Sequence, residues 1–389
     1  MSALPGSADV VIVGGGVIGA SVAWRLAQRG WHNVVVLERG DHPGTGSTGR
    51  ATGGFRCTFA TDTNVRLSLR SRDLLGRFTE ETGVDSGYRP VGYLWLAESA
   101  DTLGTMRQAL EVQHAAGLSE SRELSPGDIA ELVPWATLDH LAGALWCPTD
   151  GYITPLQVLR GFTDAASRAG VSFCYGVEQT GFEMKGDRIV AVRTSRGSIG
   201  CGTVVNAAGA WAAAVASGAG VTIPVSPLRR QVAMTVPTDV LPDAVPMTIW
   251  ADDGFHLRWR EGRVLYAWPT PGDPDDPWSM TVEESWLDQV NAAARRRAPN
   301  VGAIPLDRSH CWGGLYETTP DKLAILGTAP GCDNLLLVNG CSGHGVMHSP
   351  ALGEAAAALL SCEAPVVPIA DLSPTRFDNP AAWTPRENL

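Results

Sequence analysis

DVVIVGGGVIGAS, residues 9–21, runs from a short apolar stretch through a glycine turn into residues with helical period. Gly14, Gly16 and Gly19 stand in G-x-G-x-x-G spacing. In that pattern the first glycine makes a tight turn, the second lets backbone approach a pyrophosphate, and the third lets helix and strand pack closely. The helix that follows presents unpaired N–H groups and a positive dipole end to whatever fills the turn. NVVVLERG, residues 33–40, supplies a second buried apolar run, so residues 9–38 read as strand, turn, helix, strand. Glu38 closes that second strand 24 residues after Gly14. An acid at that place suits a free ribose diol and disfavours a 2′-phosphate, which fits FAD and NAD equally.

The chain around this unit has 389 residues, long enough that two domains are expected. Hydrophobic content of 44% with 18% charged residues is that of a globular protein, and no stretch reaches the roughly 20 apolar residues of a membrane span. The first apolar run, Val10–Val17, follows an acidic residue and leads straight into a structured unit, so no signal peptide is read and the expected location is cytoplasmic. A net charge of −11 offers no footprint for nucleic acid or anionic lipid and favours a small-molecule partner. The eight cysteines form no C-x-x-C and match no histidine spacing, so no metal site is expected and they read as buried reduced thiols. The only lysines are Lys185 and Lys322.

Helices are expected over 64–82 and 99–116, with a short capped one in SPGDIAELVP, residues 125–134. After Gly151 come an amphipathic helix (154–170), a strand (171–176) and a hairpin that runs into a buried strand (181–212). Residues 224–268 are strand-rich, with near-alternating aromatics in FHLRWREGRVLYAWP, and Pro269–Pro277 reads as a surface turn. LLLVNGCSGHG followed by ALGEAAAALLS is again strand, glycine loop and helix. There Ser349-Pro350 reads as N-cap and first helical residue, which leaves Gly343–His348 as loop.

Four stretches, VIVGGGVIGAS…VVVLERG, GSTGRATGGFR, VVNAAGAWA and GLYETTPD…LLLVNGCSGHGVMHSPALGE, give the chain a resemblance that runs from about Asp9 to Ser361. It resembles the D-amino-acid-oxidase-like flavoprotein superfamily, in particular its sarcosine oxidase, dimethylglycine dehydrogenase and proline dehydrogenase β-subunit branch. The resemblance implies FAD rather than NAD, and an α/β (α+β two-domain) fold. A Rossmann-type FAD-binding domain is expected in three pieces, 8–82, 150–222 and 306–372. A second, antiparallel β-sheet substrate domain is expected from 83–149 and 223–305. Carried over to this sequence, Gly14, Gly15, Gly16 and Gly19 hold the diphosphate, and Glu38 holds the adenosine ribose with Arg39 beside it. Ser47 and Thr48 touch diphosphate, Gly53 and Gly54 lie near the isoalloxazine, and Val177 meets adenine. Ala208, Gly209 and Trp211 close over the cofactor. Gly343, His344, Gly345, Val346 and Met347 form a wall whose backbone N–H groups face the anionic edge of reduced flavin.

Relatives that tether FAD covalently do so through a histidine in the first loop or a cysteine before the TPD motif. This chain has Gly49-Arg50 and Gly314-Leu315 there, with Cys311 displaced by three residues, so non-covalent FAD is expected. The implied chemistry is hydride delivery from a carbon next to nitrogen to flavin N5, giving an imine that water hydrolyses. Arg56 matches an arginine that pairs with the substrate carboxylate, a task its planar guanidinium suits. By strand alternation His256, Arg258 and Arg260 share one face, which makes His256 and Arg258 pocket candidates. Met347 stands where sarcosine-type relatives have a second carboxylate anchor, a lysine, and cannot replace it. No lysine lies between Lys185 and Lys322, so the lysine that helps oxidases react with oxygen is missing and a dehydrogenase is favoured. The expected partners are an amine or amino-acid substrate and, as electron acceptor, oxygen or a redox protein. Three roles stay open at this point: a secondary or N-alkyl amino-acid oxidoreductase, a tailoring enzyme for an amine without a carboxylate, and a non-catalytic FAD-binding assembly protein. Some relatives serve as subunits of hetero-oligomers.

Overall fold

The computed structural model describes residues 4–269 and 276–387; residues 270–275 of the expected turn lie outside them. Two eight-stranded sheets organise the chain. In the first, five strands run parallel in the order Cys332–Asn339, Gly197–Asn206, Ser7–Val13, Val34–Glu38, Ser172–Tyr175. Ile325–Ala329 pairs antiparallel with the outermost of these, and the hairpin of Gln179–Lys185 and Arg188–Thr194 extends Gly197–Asn206. Val10, Val11 and Ile12 are fully buried because both faces of this sheet are covered, which is why the strand reads as an unbroken apolar run.

Helices Val17–Gln28, Pro155–Arg168 and Gly345–Leu360 pack together over one face, with Asp62–Gly76 beyond them. Gly353 lets Gly345–Leu360 close on Val17–Gln28, since a Cβ there would lie 2.1 Å from Ser21 Oγ. At the same crossing Ser21 Oγ donates to Ser349 O at 2.7 Å. The helix expected over 64–82 is two, Asp62–Gly76 and Phe78–Thr82, broken where Arg77 leaves helical geometry after Gly76. Ser99 caps Ala100–Ala115, and Ser125 with Asp128 forms a capping box on Pro126–Leu132.

The second sheet runs Trp312–Thr318, Ser226–Met234, Arg263–Ala267, Phe255–Arg260, Met247–Trp250, Tyr93–Ala97, Gly143–Cys147, Arg122–Glu123. It is antiparallel except where Met247–Trp250 and Tyr93–Ala97 pair in parallel. One face, with Leu94, Trp250, Phe255 and Leu257, packs on helix Glu284–Arg297. Segment 306–318, grouped by sequence with the nucleotide domain, carries a strand of this second sheet. Gly313 and Gly314 let it run flat against Met280 and Arg50 while it pairs with Ser226–Met234.

The last helix also differs from expectation. It begins at Gly345, with His344 as N-cap, and Pro350 sits inside it. Proline has no N–H to give Val346 O, but Ser349 Oγ donates to that carbonyl at 2.9 Å, so the helix passes through. Beyond it, Arg376 binds the buried Asp321 through two hydrogen bonds of 2.8 and 3.0 Å. The chain then crosses to place Glu387 against the start of helix Asp62–Gly76, where its carboxylate accepts from Ala60 N, Thr61 Oγ1 and Asn64 Nδ2.

Candidate active site

A cavity of about 1090 Å³ extends from the first glycine turn to the inner face of the second sheet. At its nucleotide end, Gly14 has φ +107 and no room for a side chain, since a Cβ would lie 2.3 Å from Ala207 O. Gly19 is equally constrained, 1.9 Å from Gly14 O, whereas a Cβ on Gly16 would meet only Thr48 Oγ1 at 3.4 Å. Gly16, the N-cap of helix Val17–Gln28, has no side chain to cap it, so the space in front of that turn is bounded only by Thr48. Gly14 and Gly16 line the cavity; Gly15 and Gly19 do not. Gly15 N instead donates to Glu38 Oε2 at 3.0 Å and Gly40 N to Oε1 at 2.7 Å, so the carboxylate is held in place beside the turn.

Thr48 Oγ1 accepts from Val17 N at 3.1 Å, and Ser47 Oγ donates to Leu315 O at 2.7 Å, which ties the loop after the second strand to helix Val17–Gln28 and to the second sheet. Arg39 stacks its guanidinium 3.6 Å above the Trp211 ring, and Val177 N donates to Glu38 O at 3.0 Å. Both lie on the wall, as do Ala208, Gly209, Gly53 and Gly54. A glycine turn at a helix N-terminus and a fixed acid, both lining one continuous cavity, fit a dinucleotide with its diphosphate at the turn.

At the other end, Gly343–Met347 lines the cavity with the first turn of helix Gly345–Leu360. His344 and His348 lie one turn apart here, but His348 faces away and sits 2.8 Å from Ser68 Oγ. Among the described residues no group of three or more His, Cys, Asp and Glu side chains forms a metal site. Arg56 Nη2 donates to His344 Nε2 at 3.2 Å, which puts the imidazole hydrogen on Nδ1. Burial, then the Arg56 charge, pushes the His344 pKa well down and keeps the ring neutral. Arg56 itself is buried, with its guanidinium 3.8 Å over Phe59 and 5.0 Å from Trp95, and it also donates to Thr58 O. The turn after it is fixed by buried Asp150, which accepts from Cys57 N at 2.7 Å and Thr58 Oγ1 at 2.8 Å.

His256 lies on the cavity wall with Nδ1 donating to Gly254 O at 2.9 Å, so Nε2 is an acceptor. Arg258, expected beside it, does not line the cavity. Its Nη1 is turned under Gly53, 2.7 Å from where a Cβ of that residue would lie, and the guanidinium stacks on Tyr152 at 4.2 Å. Burial pushes its pKa down to about 10. Cys311 is also off the wall, its thiol donating to Asp307 O.

Several wall residues escaped the sequence reading: Tyr93 and Trp95 from the second sheet, Arg230 and Tyr316 opposite them, Lys322, and Glu387. Lys322 sits at φ +60 in the turn after TPD, a position that turns it into the cavity. The YLWLA alternation was the only available signal for Tyr93 and Trp95, and burial of the whole strand hides it.

With this geometry, the chain belongs to the FAD dependent oxidoreductase (DAO) family, whose model matches residues 9–359. It is similar to the FAD-dependent oxidoreductase domain-containing protein 1 of Xenopus laevis, with 31% identity over 92% of this chain and 79% of that protein. It is 28% identical to the mitochondrial sarcosine dehydrogenase of Mus musculus over 90% of this chain, spanning 39% of that longer protein. Among solved structures, the L-proline dehydrogenase from P. horikoshii superposes with a TM-score of 0.89 at 29% identity, covering 96% of this chain and 99% of that one. No helix among the described residues is long and apolar enough to cross a membrane.

Proposed function

We propose that this protein oxidises the C–N bond of a secondary or N-alkyl α-amino acid, such as sarcosine, proline or a related imino acid, using non-covalently bound FAD. The observation that carries this reading is Arg56. It is a guanidinium buried among Phe59, Trp95 and a neutral histidine, on the wall of the cavity where the flavin loop and the second sheet meet. A planar guanidinium on that wall is suited to bidentate binding of a carboxylate brought by the substrate.

Bound FAD supplies the acceptor for the hydride that leaves the substrate carbon. The chain's own residues do the rest. Arg56 holds the carboxylate, and His256 Nε2 accepts the amine N–H and keeps its lone pair oriented toward the breaking C–H bond. Trp95, Met247 and Ile249 exclude water, and the N–H groups of Gly345, Val346 and Met347 face developing negative charge. Met347 offers no cation, which leaves room for a substrate bulkier than sarcosine. Cys311, bonded elsewhere and off the wall, supports non-covalent binding; flavin retained in an acid-precipitated pellet contradicts it.

The test is single-turnover product analysis without oxygen. Wild type yields the imine or its hydrolysis products in proportion to flavin. Arg56→Ala weakens substrate binding about 10- to 100-fold, the range for a lost hydrogen bond to a charged group, and Arg56→Lys recovers part of it. Little effect of Arg56→Ala indicates an amine without a carboxylate, and no reduction by any amine indicates a non-catalytic flavoprotein.

Electrons are proposed to pass to an acceptor other than oxygen. An oxidase is the second reading, favoured by Lys322 on the cavity wall. Fast reoxidation of the reduced enzyme by oxygen, slowed in Lys322→Met, establishes the oxidase.

A further inference from the structure

Three buried guanidinium groups in this chain are matched by carboxylates. Arg25 meets Glu81 at 2.9 Å, Arg297 meets Asp253 at 2.8 Å, and Arg229 bonds to Glu283. Arg258 departs from that pattern. It is 7% exposed, it makes no ion pair with a carboxylate among the described residues, and its Nε and Nη1 have no hydrogen-bond partner. What it contacts is the Tyr152 ring, 4.2 Å from the guanidinium, which offers a π face and no charge, since the tyrosine hydroxyl donates to Val245 O. Burial lowers the Arg258 pKa only to about 10, so the group is a cation at neutral pH. A buried cation without a counter-charge costs stability, and its retention asks for a reason outside packing.

The position of the guanidinium supplies the reason. Gly53 lines the cavity and has φ +79. A Cβ there would lie 2.7 Å from Arg258 Nη1 and 2.4 Å from Ile153 O, so glycine is what lets the guanidinium close up beneath the loop. Arg258 is thereby separated from the cavity by one residue that has no side chain. The loop is fixed in that place, because Ile153 N donates to Gly53 O at 2.9 Å and Gly54–Phe55 pairs with Gly151–Tyr152. With the diphosphate at the first glycine turn, the cavity leaves a flavin ring the space bounded by Gly53, Gly54 and Gly343–Met347. A hydride brings two electrons and one proton, so a neutral ring that accepts it gains one negative charge. A fixed cation behind Gly53, away from water that would screen it, favours that charged form.

We propose that Arg258 raises the reduction potential of the bound flavin from behind the loop, its unpaired guanidinium serving as counter-charge to the negative charge gained with the hydride. It lies off the cavity wall, so it touches no substrate and moves no proton. The inference rests on the FAD reading and is independent of which amine is oxidised.

The experiment measures the flavin midpoint potential of wild-type, Arg258→Met and Arg258→Gln holoenzymes by stepwise dithionite reduction against a reference dye. The dissociation constant of sulfite, an anion that adds to oxidised flavin, probes the same charge independently. Both substitutions remove a buried cation that lacks a counter-charge, so the thermal midpoint of Arg258→Met is expected to be unchanged or raised. In both variants the equilibrium constant for two-electron reduction is expected to fall about tenfold, the order for one unit charge at an effective dielectric of about 20, which is about 30 mV. Sulfite is expected to bind about tenfold more weakly. Potentials and sulfite affinities equal to wild type in Arg258→Met overturn the inference. So does an Arg258→Gln enzyme with the wild-type potential, since a polar contact and not the charge is then responsible. An Arg258→Met protein that loses stability and FAD affinity while its holoenzyme keeps the wild-type potential also overturns it, since the guanidinium then only supports the loop. A wild type that binds no flavin overturns the cofactor assignment itself, a result distinct from the others.

Discussion

His348 is 1% exposed, with Nε2 2.8 Å from Ser68 Oγ and the Phe59 ring 5.3 Å away. Burial, aided by the Arg56 charge, drives its pKa down to about 3, against an ordinary value of 6.5. The unfolded chain therefore binds a proton that the folded chain refuses. The stability this residue contributes is complete above about pH 6.5 and is lost as pH falls through the window toward 3. His348→Gln is expected to flatten the dependence of urea-unfolding free energy on pH across that window, whatever its effect at neutral pH; identical slopes contradict the assignment. The glycines of the first turn were legible from sequence because their spacing gives them their work, whereas Arg56 was singled out only by the family resemblance of its loop. Tyr93 was not legible, because its place on the cavity wall depends on Gly54, which lies in another segment and sheet. Arg258 was misplaced because strand alternation gives a side chain's face but not how far a long guanidinium travels along it.

Among elements, helix Gly345–Leu360 shows how one side chain overrides a rule. The Ser-Pro pair signals a helix start, yet Ser349 repairs the hydrogen bond that Pro350 cannot make, and the true start falls at Gly345. That shift brings the first helical turn onto the cavity wall. Ser349→Ala leaves Val346 O unpaired within the helix and is expected to cost about 1 kcal/mol, measured as a lower urea midpoint with an unchanged slope. No loss of stability contradicts the repair. The parallel strands and their helices were readable because continuous apolar runs and helical periods encode them directly. Strand Trp312–Thr318 was assigned to the wrong unit because its partner, Ser226–Met234, is remote in sequence.

At the scale of the whole molecule, the cavity is closed by parts that no local pattern connects. The Asp321–Arg376 pair, 0% and 9% exposed in their side chains, pins the C-terminal segment to the turn that carries Lys322. Arg386 N donates to Asp321 O, and Glu387 follows onto the loop beyond Arg56. Asp321→Ala leaves a buried guanidinium with backbone carbonyls but without its counter-charge and is expected to cost about 3–5 kcal/mol, with faster proteolysis of residues after Arg376 than in wild type. Unchanged protease resistance contradicts that role. The second sheet was visible in the sequence as the strand-rich, aromatic-alternating residues 224–268, and the first as strand, glycine turn and helix near both ends. The cavity's far walls were not, since they form only when the second sheet, the TPD turn and the C-terminal segment meet.

The central claim is that this cavity oxidises an amino acid at its C–N bond through FAD. The most direct measurement is the absorbance of the oxidised flavin band when holoenzyme is mixed, without oxygen, with secondary and N-methyl amino acids. The account predicts that the band bleaches with at least one of them and that Arg56→Ala raises the concentration required. A flavin that stays oxidised with every amine in the series contradicts it.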